Sequence, residues 1–130
     1  MKTLIILIVL GLLFSNLSCT NKDNSSETNG VEIRIKNTSQ YDYSNVIVNT
    51  SGGINNYGNI SSMQSSDYKA FSFAYNYAFV QLDIAGVTYT LQPIDYVGET
   101  KLSSGKYTYE INANDTGTQY DKLTLTLVKD

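Results

Sequence analysis

Histidine and tryptophan are absent from the 130 residues, and cysteine and proline each occur once, as Cys19 and Pro93. Zinc, copper and iron–sulfur sites draw chiefly on His and Cys side chains. The sequence therefore predicts no metal site and no cofactor. The shortage of the same two residues excludes catalytic arrangements of the Ser-His-Asp and Cys-His kinds. A single cysteine also cannot form an internal disulfide.

The charge is low and mildly negative, with 9 Lys and Arg residues against 12 Asp and Glu residues. A nucleic-acid-binding domain needs a basic surface to neutralise phosphates. We therefore expect no nucleic acid among the partners of this chain.

The first residues combine a positive start with an apolar run. Lys2 precedes the stretch 4–14, which is apolar throughout except for Gly11. A secretory signal has a hydrophobic region of roughly 7–15 residues, whereas a membrane-spanning helix needs about 20. The pattern predicts an N-terminal signal helix, with residues 1–18 forming the signal peptide.

Cys19 lies at the border between this run and a very polar stretch. The letters NLSC, with the small Ser18 before the cysteine, resemble a bacterial lipobox, in which the cysteine thiol receives a diacylglycerol and the new N-terminus a palmitate-type acyl chain. Lipidation explains the position of an otherwise unpaired thiol, and several acyl chains anchor stably. Residues 20–30, TNKDNSSETNG, contain no apolar side chain, so we expect 19–30 to be a lipidated flexible tether. This predicts an outer-membrane lipoprotein of the cell envelope, on the periplasmic face or the cell surface.

Period-2 alternation of apolar and polar residues recurs along residues 31–130 and is typical of half-buried strands. The inward-facing positions that it predicts are Val31, Ile33, Ile35, Phe71, Phe73, Val80, Leu82, Ile84, Val87, Tyr89, Leu91, Tyr107, Tyr109, Ile111, Leu123, Leu125 and Leu127. Seven short strands in about 100 residues favour an all-β, antiparallel two-sheet sandwich of immunoglobulin-like or transthyretin-like kind. A small barrel is the alternative.

The segment 51–66, SGGINNYGNISSMQSS, has the weakest strand pattern. It is predicted to be a long loop, with YGNI as a possible eighth strand. Long loops in compact domains are often functional, and loop tyrosines suit recognition of proteins or glycans. The candidate recognition patch therefore consists of Asn55, Asn56, Tyr57, Asp95 and Tyr96.

Four stretches, NTSQYDYSNVIVNTSGG, SSDYKAF, YTLQPIDYVGE and GKYTYEI, together resemble small Bacteroidetes-type lipoproteins of unassigned activity. The resemblance covers about residues 31–130. It implies a lipidated N-terminus and a single β-sandwich domain. The shared motifs are turns and tyrosines, so the resemblance transfers no functional residue.

Three residue pairs formally match catalytic arrangements. Ser66 with Lys69 and Ser103 with Lys106 have the S-x-x-K spacing, which works where a helical turn holds the lysine beside the serine. The pattern predicts no helix at either place, so we interpret both as turns. Asp95 and Glu99 are two carboxylates on one loop, but a glycosidase also needs a sugar cleft between them. No catalytic residues are assigned, and the chain is not expected to be an enzyme.

The resulting hypothesis is a non-enzymatic envelope lipoprotein whose sandwich domain binds an unknown protein, peptide or glycan while its lipid anchor holds it to the membrane. The alternative is a structural accessory subunit of an envelope or surface assembly. A small hydrolase using the pairs above is the third hypothesis.

Replacing the acceptor thiol tests the anchor. We expect the Cys19→Ala variant to lose metabolic labelling with radioactive palmitate and to leave the membrane fraction, because acylation requires the thiol. A Ser26→Ala variant in the tether is the control and should stay labelled and membrane-bound. Membrane retention of unlabelled Cys19→Ala chain would contradict anchoring through this cysteine.

Overall fold

The computed structural model describes residues 30–94 and 98–130. The predicted signal peptide, the tether up to residue 29, Cys19, Asp95 and Tyr96 all lie outside the described residues. Within those ranges the chain is all-β. No helix there is long and apolar enough to cross a membrane.

Residues 30–94 and 98–130 form eight strands arranged in two sheets. They are β1 (Val31–Asn37), β2 (Tyr43–Asn49), β3 (Ile54–Ile60), β4 (Lys69–Phe71), β5 (Phe79–Ile84), β6 (Val87–Leu91), β7 (Gly105–Ala113) and β8 (Leu123–Lys129). One sheet has the strand order β4-β1-β7-β8 and the other has the order β3-β2-β5-β6. Each sheet has its own two edges, so the arrangement is sandwich-like and the barrel alternative is wrong.

The predicted all-β, two-sheet fold is confirmed, with one strand more than the seven expected. The additional strand, β3, lies inside the segment 51–66 that was predicted to be a long loop, and it contains YGNI, the stretch offered as an eighth strand. The alternation of apolar and polar residues in β3 is weak, since only two of its seven positions, Tyr57 and Ile60, are buried and require apolar side chains. The rest of the strand is mainly asparagine and glycine, which are depleted in strands.

The expectation of purely antiparallel pairing is wrong at the centre of the first sheet. β1 and β7 run parallel, in continuous register from Val31 opposite Gly105 to Asn37 opposite Ile111. Alternation shows which face of the sheet each side chain occupies, but not whether the neighbouring strand runs parallel or antiparallel. The other strand pairs are antiparallel.

Most of the predicted inward positions form the core between the sheets. Ile33, Ile35, Tyr109 and Ile111 are fully buried, and residues of both sheets join one apolar cluster. Val87 and Phe73 are the exceptions. Val87 begins its strand directly after a turn and is 52% exposed, and Phe73 lies beyond the end of β4 and outside the core cluster. Pro93 follows the end of β6, as expected of a residue that cannot donate to the ladder.

The turn between β5 and β6 places an alanine in an unfavourable conformation. Ala85 and Gly86 connect the paired residues Ile84 and Val87, with φ angles of 50° and 80°. Two consecutive positive φ angles define the tight hairpin turn that matches strand twist and favours Asn-Gly. Glycine accepts this conformation freely, whereas alanine is strained by roughly 1–2 kcal/mol.

We expect Ala85→Asn to raise the free energy of unfolding by about 0.5–1 kcal/mol, because asparagine tolerates positive φ better than alanine. Denaturant-induced unfolding followed by fluorescence measures the change. Ala70→Asn is the matched control, since Ala70 is an exposed alanine within strand β4, where asparagine is disfavoured. A loss of stability at residue 85 equal to that at residue 70 would contradict the assignment of strain.

Candidate functional site

A polar groove of about 540 Å³ lies between the edges of the two sheets, where β3 and β4 border each other. We call it the β3–β4 groove. It is lined by Asn56, Tyr57, Gly58, Asn59, Ser65, Ser66, Asp67 and Lys69. The lining comes from β3, from the connection that follows it and from the start of β4. These elements follow one another in the chain, so residues 56–69 supply the groove.

Hydrogen bonds to backbone carbonyls connect the two edges beyond one end of the groove. The Asn55 side-chain Nδ2 donates to the carbonyl of Ala70 at 2.9 Å, and the Ser72 amide donates to the carbonyl of Gly52 at 3.0 Å. A Cβ atom on Gly52 would lie 2.1 Å from the Phe73 carbonyl oxygen. Only glycine permits this close approach.

An irregularity in the β2–β3 pairing shapes the wall of the groove that β3 forms. The register shifts between Val46 and Ile47, and Asn45 and Gly58 have φ angles of 52° and 66°. Such a bulge increases the local twist of the strand. The edge of β3 around Asn59 therefore departs from a flat strand.

Tyr57 forms the floor of the groove and is 9% exposed. Its hydroxyl donates to the Ile33 carbonyl of the opposite sheet at 2.7 Å, and burial raises the pKa of this phenol. The ammonium of Lys69 lies 5.8 Å from the centre of its ring. Tyr57 is therefore a core residue that the groove exposes only at its margin.

Ser66, in the opposite wall, has a structural hydroxyl. Its Oγ accepts from the Ile35 amide at 2.9 Å and donates to the Asp67 carbonyl at 2.8 Å, while its own amide donates to the Ile35 carbonyl at 2.8 Å. These bonds attach the connection 61–68 to β1. They also occupy the hydroxyl that the Ser66-Lys69 spacing offered as a nucleophile.

Several polar groups at the groove have no hydrogen bond to any part of the chain that the structure describes. They are the Nδ2 of Asn56, the hydroxyl of Ser65 and the carboxylate of Asp67, and each is accessible from the groove. The Oδ1 of Asn56, by contrast, accepts from the Gly58 amide at 2.8 Å. The groove thus presents an amide, a hydroxyl, a carboxylate and the Lys69 ammonium to solvent.

The predicted recognition patch is only partly assembled. Asn56 lines the groove and Asn55 lies next to it on β3. Tyr57 is buried, and its side chain packs in the core instead of forming part of an exposed patch. Asp95 and Tyr96 are outside the described residues. The sequence interpretation missed Asp67 and Lys69, which follow the segment 51–66 directly, because no local pattern shows that β4 returns to the edge of β3.

The other candidate catalytic residues are also engaged. The Ser103 hydroxyl lies 3.0 Å from the Tyr107 hydroxyl, while the ammonium of Lys106 lies 3.8 Å from Glu32 and 4.7 Å from the ring centre of Tyr68. Glu99 accepts a 2.5 Å hydrogen bond from the Tyr77 hydroxyl. In the described ranges no group of three or more Cys, Asp or Glu residues is placed to hold a metal ion.

Removing the Tyr57 hydroxyl tests its role in the core. We expect Tyr57→Phe to lower the free energy of unfolding by about 1–3 kcal/mol, because the buried Ile33 carbonyl loses a partner. Tyr120, which is 67% exposed, supplies the control, and Tyr120→Phe should change stability by less than about 0.5 kcal/mol. Equal effects of the two substitutions in denaturant titrations would contradict the structural role.

Comparison with known proteins gives a fold but no family. No protein-family model matches the chain, and no curated protein matches it. Among solved structures, the chain is similar to an NMR structure of a protein from Eubacterium rectale, with a TM-score of 0.50 and 13% sequence identity over 75% of this chain and 88% of that one. At this identity the likeness concerns the fold alone.

Proposed function

We propose that the chain is a non-enzymatic lipoprotein of the cell envelope, anchored to the outer membrane through Cys19, and that its β domain is a recognition module. The observation that carries this proposal is the β3–β4 groove, which offers the polar side chains of Asn56, Ser65, Asp67 and Lys69. As to fold type, two four-stranded sheets support the immunoglobulin-like or transthyretin-like sandwich predicted from the sequence.

Binding suits the groove better than catalysis does. Of the two serines in the lining, Ser66 uses its hydroxyl in hydrogen bonds with backbone groups, and the free hydroxyl of Ser65 has no hydrogen bond to a lysine or carboxylate of the described residues. The lysine of the lining, Lys69, has its ammonium 5.8 Å from the centre of the Tyr57 ring. No general base therefore contacts a nucleophile there, as covalent catalysis requires. Exposed donors and acceptors without internal partners are what a ligand needs for orientation.

The chemistry of the lining favours an uncharged ligand rich in hydrogen-bonding groups. Asp67 and Lys69 contribute opposite charges to the lining, and the other side chains there are neutral. A glycan, or the backbone of a protein or peptide, matches such a surface. A strongly charged ligand would leave one of the two ionic groups facing a like charge.

Blocking the groove tests this function. We expect Ser65→Trp to reduce capture of the partner at least about tenfold after crosslinking in living cells and affinity purification of the full lipidated chain, because the indole fills the groove. Ser104→Trp, at an exposed serine outside the groove, is the matched control and should capture as the unchanged chain does. Equal capture by both variants, or no captured partner for the unchanged chain, would contradict the proposal.

The alternative function, a structural subunit of an envelope assembly, is favoured by a different feature. Strand β8 leaves one edge without a strand partner in the part of the chain that the structure describes. Co-purification of other envelope proteins at fixed stoichiometry in mild detergent, unaffected by Ser65→Trp, would support this alternative instead.

A further inference from the structure

The two sheets have four edge strands, and three of them carry features that hinder further pairing. β3 is bulged, with Gly58 at positive φ. β4 is three residues long, and Asn55 donates to its Ala70 carbonyl. On β6, the Thr90 amide donates to the Gln119 carbonyl at 2.9 Å, so a loop occupies part of that edge. Bulges, short strands and covering loops are the usual protections of sheet edges.

Among the residues that the structure describes, nothing gives the fourth edge strand, β8, any of these protections. It pairs with β7 in unbroken register over all seven residues, from Leu123 opposite Ala113 to Lys129 opposite Tyr107. From Leu123 to Val128 it contains no charge, no proline and no glycine. A long, regular and uncharged edge is a template for pairing with another strand.

Apolar surface accompanies this edge. A cavity of about 540 Å³ lies beside the first half of β8, lined by Tyr77, Ala78, Leu91, Gln92, Pro93, Ile94, Leu123, Thr124 and Leu125. Leu125 and Leu127 are only partly buried, and Val128 is 38% exposed. A strand added to β8 would cover these leucines and place apolar side chains of its own against the cavity.

We propose that the occupant is a second copy of this chain, paired antiparallel through β8 about a two-fold axis at Leu125. In this register Leu123 lies opposite the other copy's Leu127, and Thr124 opposite its Thr126. Leucine then faces leucine on the inner side, and threonine faces threonine on the outer side. Cross-strand pairs of matched character stabilise a sheet. The proposal rests on the fold and is independent of the β3–β4 groove.

Charge complementarity at the ends supports this register. In this register Lys129 of one copy lies beside the turn that precedes β8 of the other copy, which contains Asp121, and both residues are exposed. Hydrogen bonds from the Thr118 hydroxyl and amide lower the pKa of the Asp121 carboxyl, so it is ionised near neutral pH. The buried ammonium of Lys122 donates to the Asn114 carbonyl at 2.7 Å, so its charge is held away from the shared edge.

Two charge variants test both the dimer and its register. Thr124→Lys/Thr126→Lys places lysine opposite lysine twice across the axis, whereas Thr124→Glu/Thr126→Lys places glutamate opposite lysine twice. The variants differ only at residue 124, and both positions are exposed on the outer side of β8. In either variant the lysine introduced at position 126 lies beside Glu110 of its own copy. Circular dichroism confirms that both variants fold.

Sedimentation equilibrium of the full chain in density-matched non-ionic detergent is the measurement. We expect the unchanged chain to dimerise, the lysine–lysine variant to associate at least about tenfold more weakly, and the glutamate–lysine variant to dimerise at least as well as the unchanged chain. A monomeric unchanged chain, or a lysine–lysine variant that dimerises normally, overturns the proposal. Two equally weakened variants overturn the register centred on Leu125.

Discussion

The position of the two sheets relative to each other depends on hydrogen bonds from buried tyrosine hydroxyls to carbonyls of the opposite sheet. Tyr43 of β2 donates to the carbonyl of Ile111 at 3.0 Å, and Tyr57 of β3 donates to that of Ile33 at 2.7 Å. A buried hydroxyl without a partner is costly, so each bond permits only a narrow range of positions of one sheet over the other. With a single cysteine in the chain, no internal disulfide can take over this role.

The same constraint positions the candidate site. Because Tyr57 reaches through to Ile33, its ring lies at the bottom of the β3–β4 groove and fixes the depth of the groove. β3 is held against the first sheet here, although its own pairing with β2 is interrupted by a bulge. The groove is therefore an opening between two sheet edges of fixed separation, which suits a preformed binding site.

How much of the fold could be predicted depends on whether a feature is encoded in a short stretch of the sequence. Alternation identified the buried faces of β1, β5 and β7, because each presents a continuous apolar face to the core. It was weak for β3, where asparagines are as numerous as apolar residues and Asn55 donates to the Ala70 carbonyl. The parallel pairing of β1 with β7 joins residues such as Ile33 and Tyr107 that are far apart in sequence, and no local pattern encodes it.

The candidate site shows the same division. Asn55 and Asn56 were chosen as candidates because they lie in a long segment with a weak strand pattern, and both lie on β3 in the structure. Asp67 and Lys69 were missed because their relation to β3 depends on how β4 pairs with β1, which is a tertiary property. Tyr57 was assigned to the surface because composition does not distinguish a tyrosine that binds a partner from one that bonds across a core.

The strand orders also relate the two proposed surfaces. β3 and β4 are end strands of their sheets and are joined by the hydrogen bond from Asn55 to the Ala70 carbonyl, while β6 and β8 are the strands at the opposite ends and lie near each other. Pairing through β8 would extend the first sheet from four strands to eight and leave the β3–β4 groove of each copy at the far end. Such a dimer would present two identical grooves without covering either. Bivalent presentation raises the avidity for a repetitive ligand such as a glycan without any new contact.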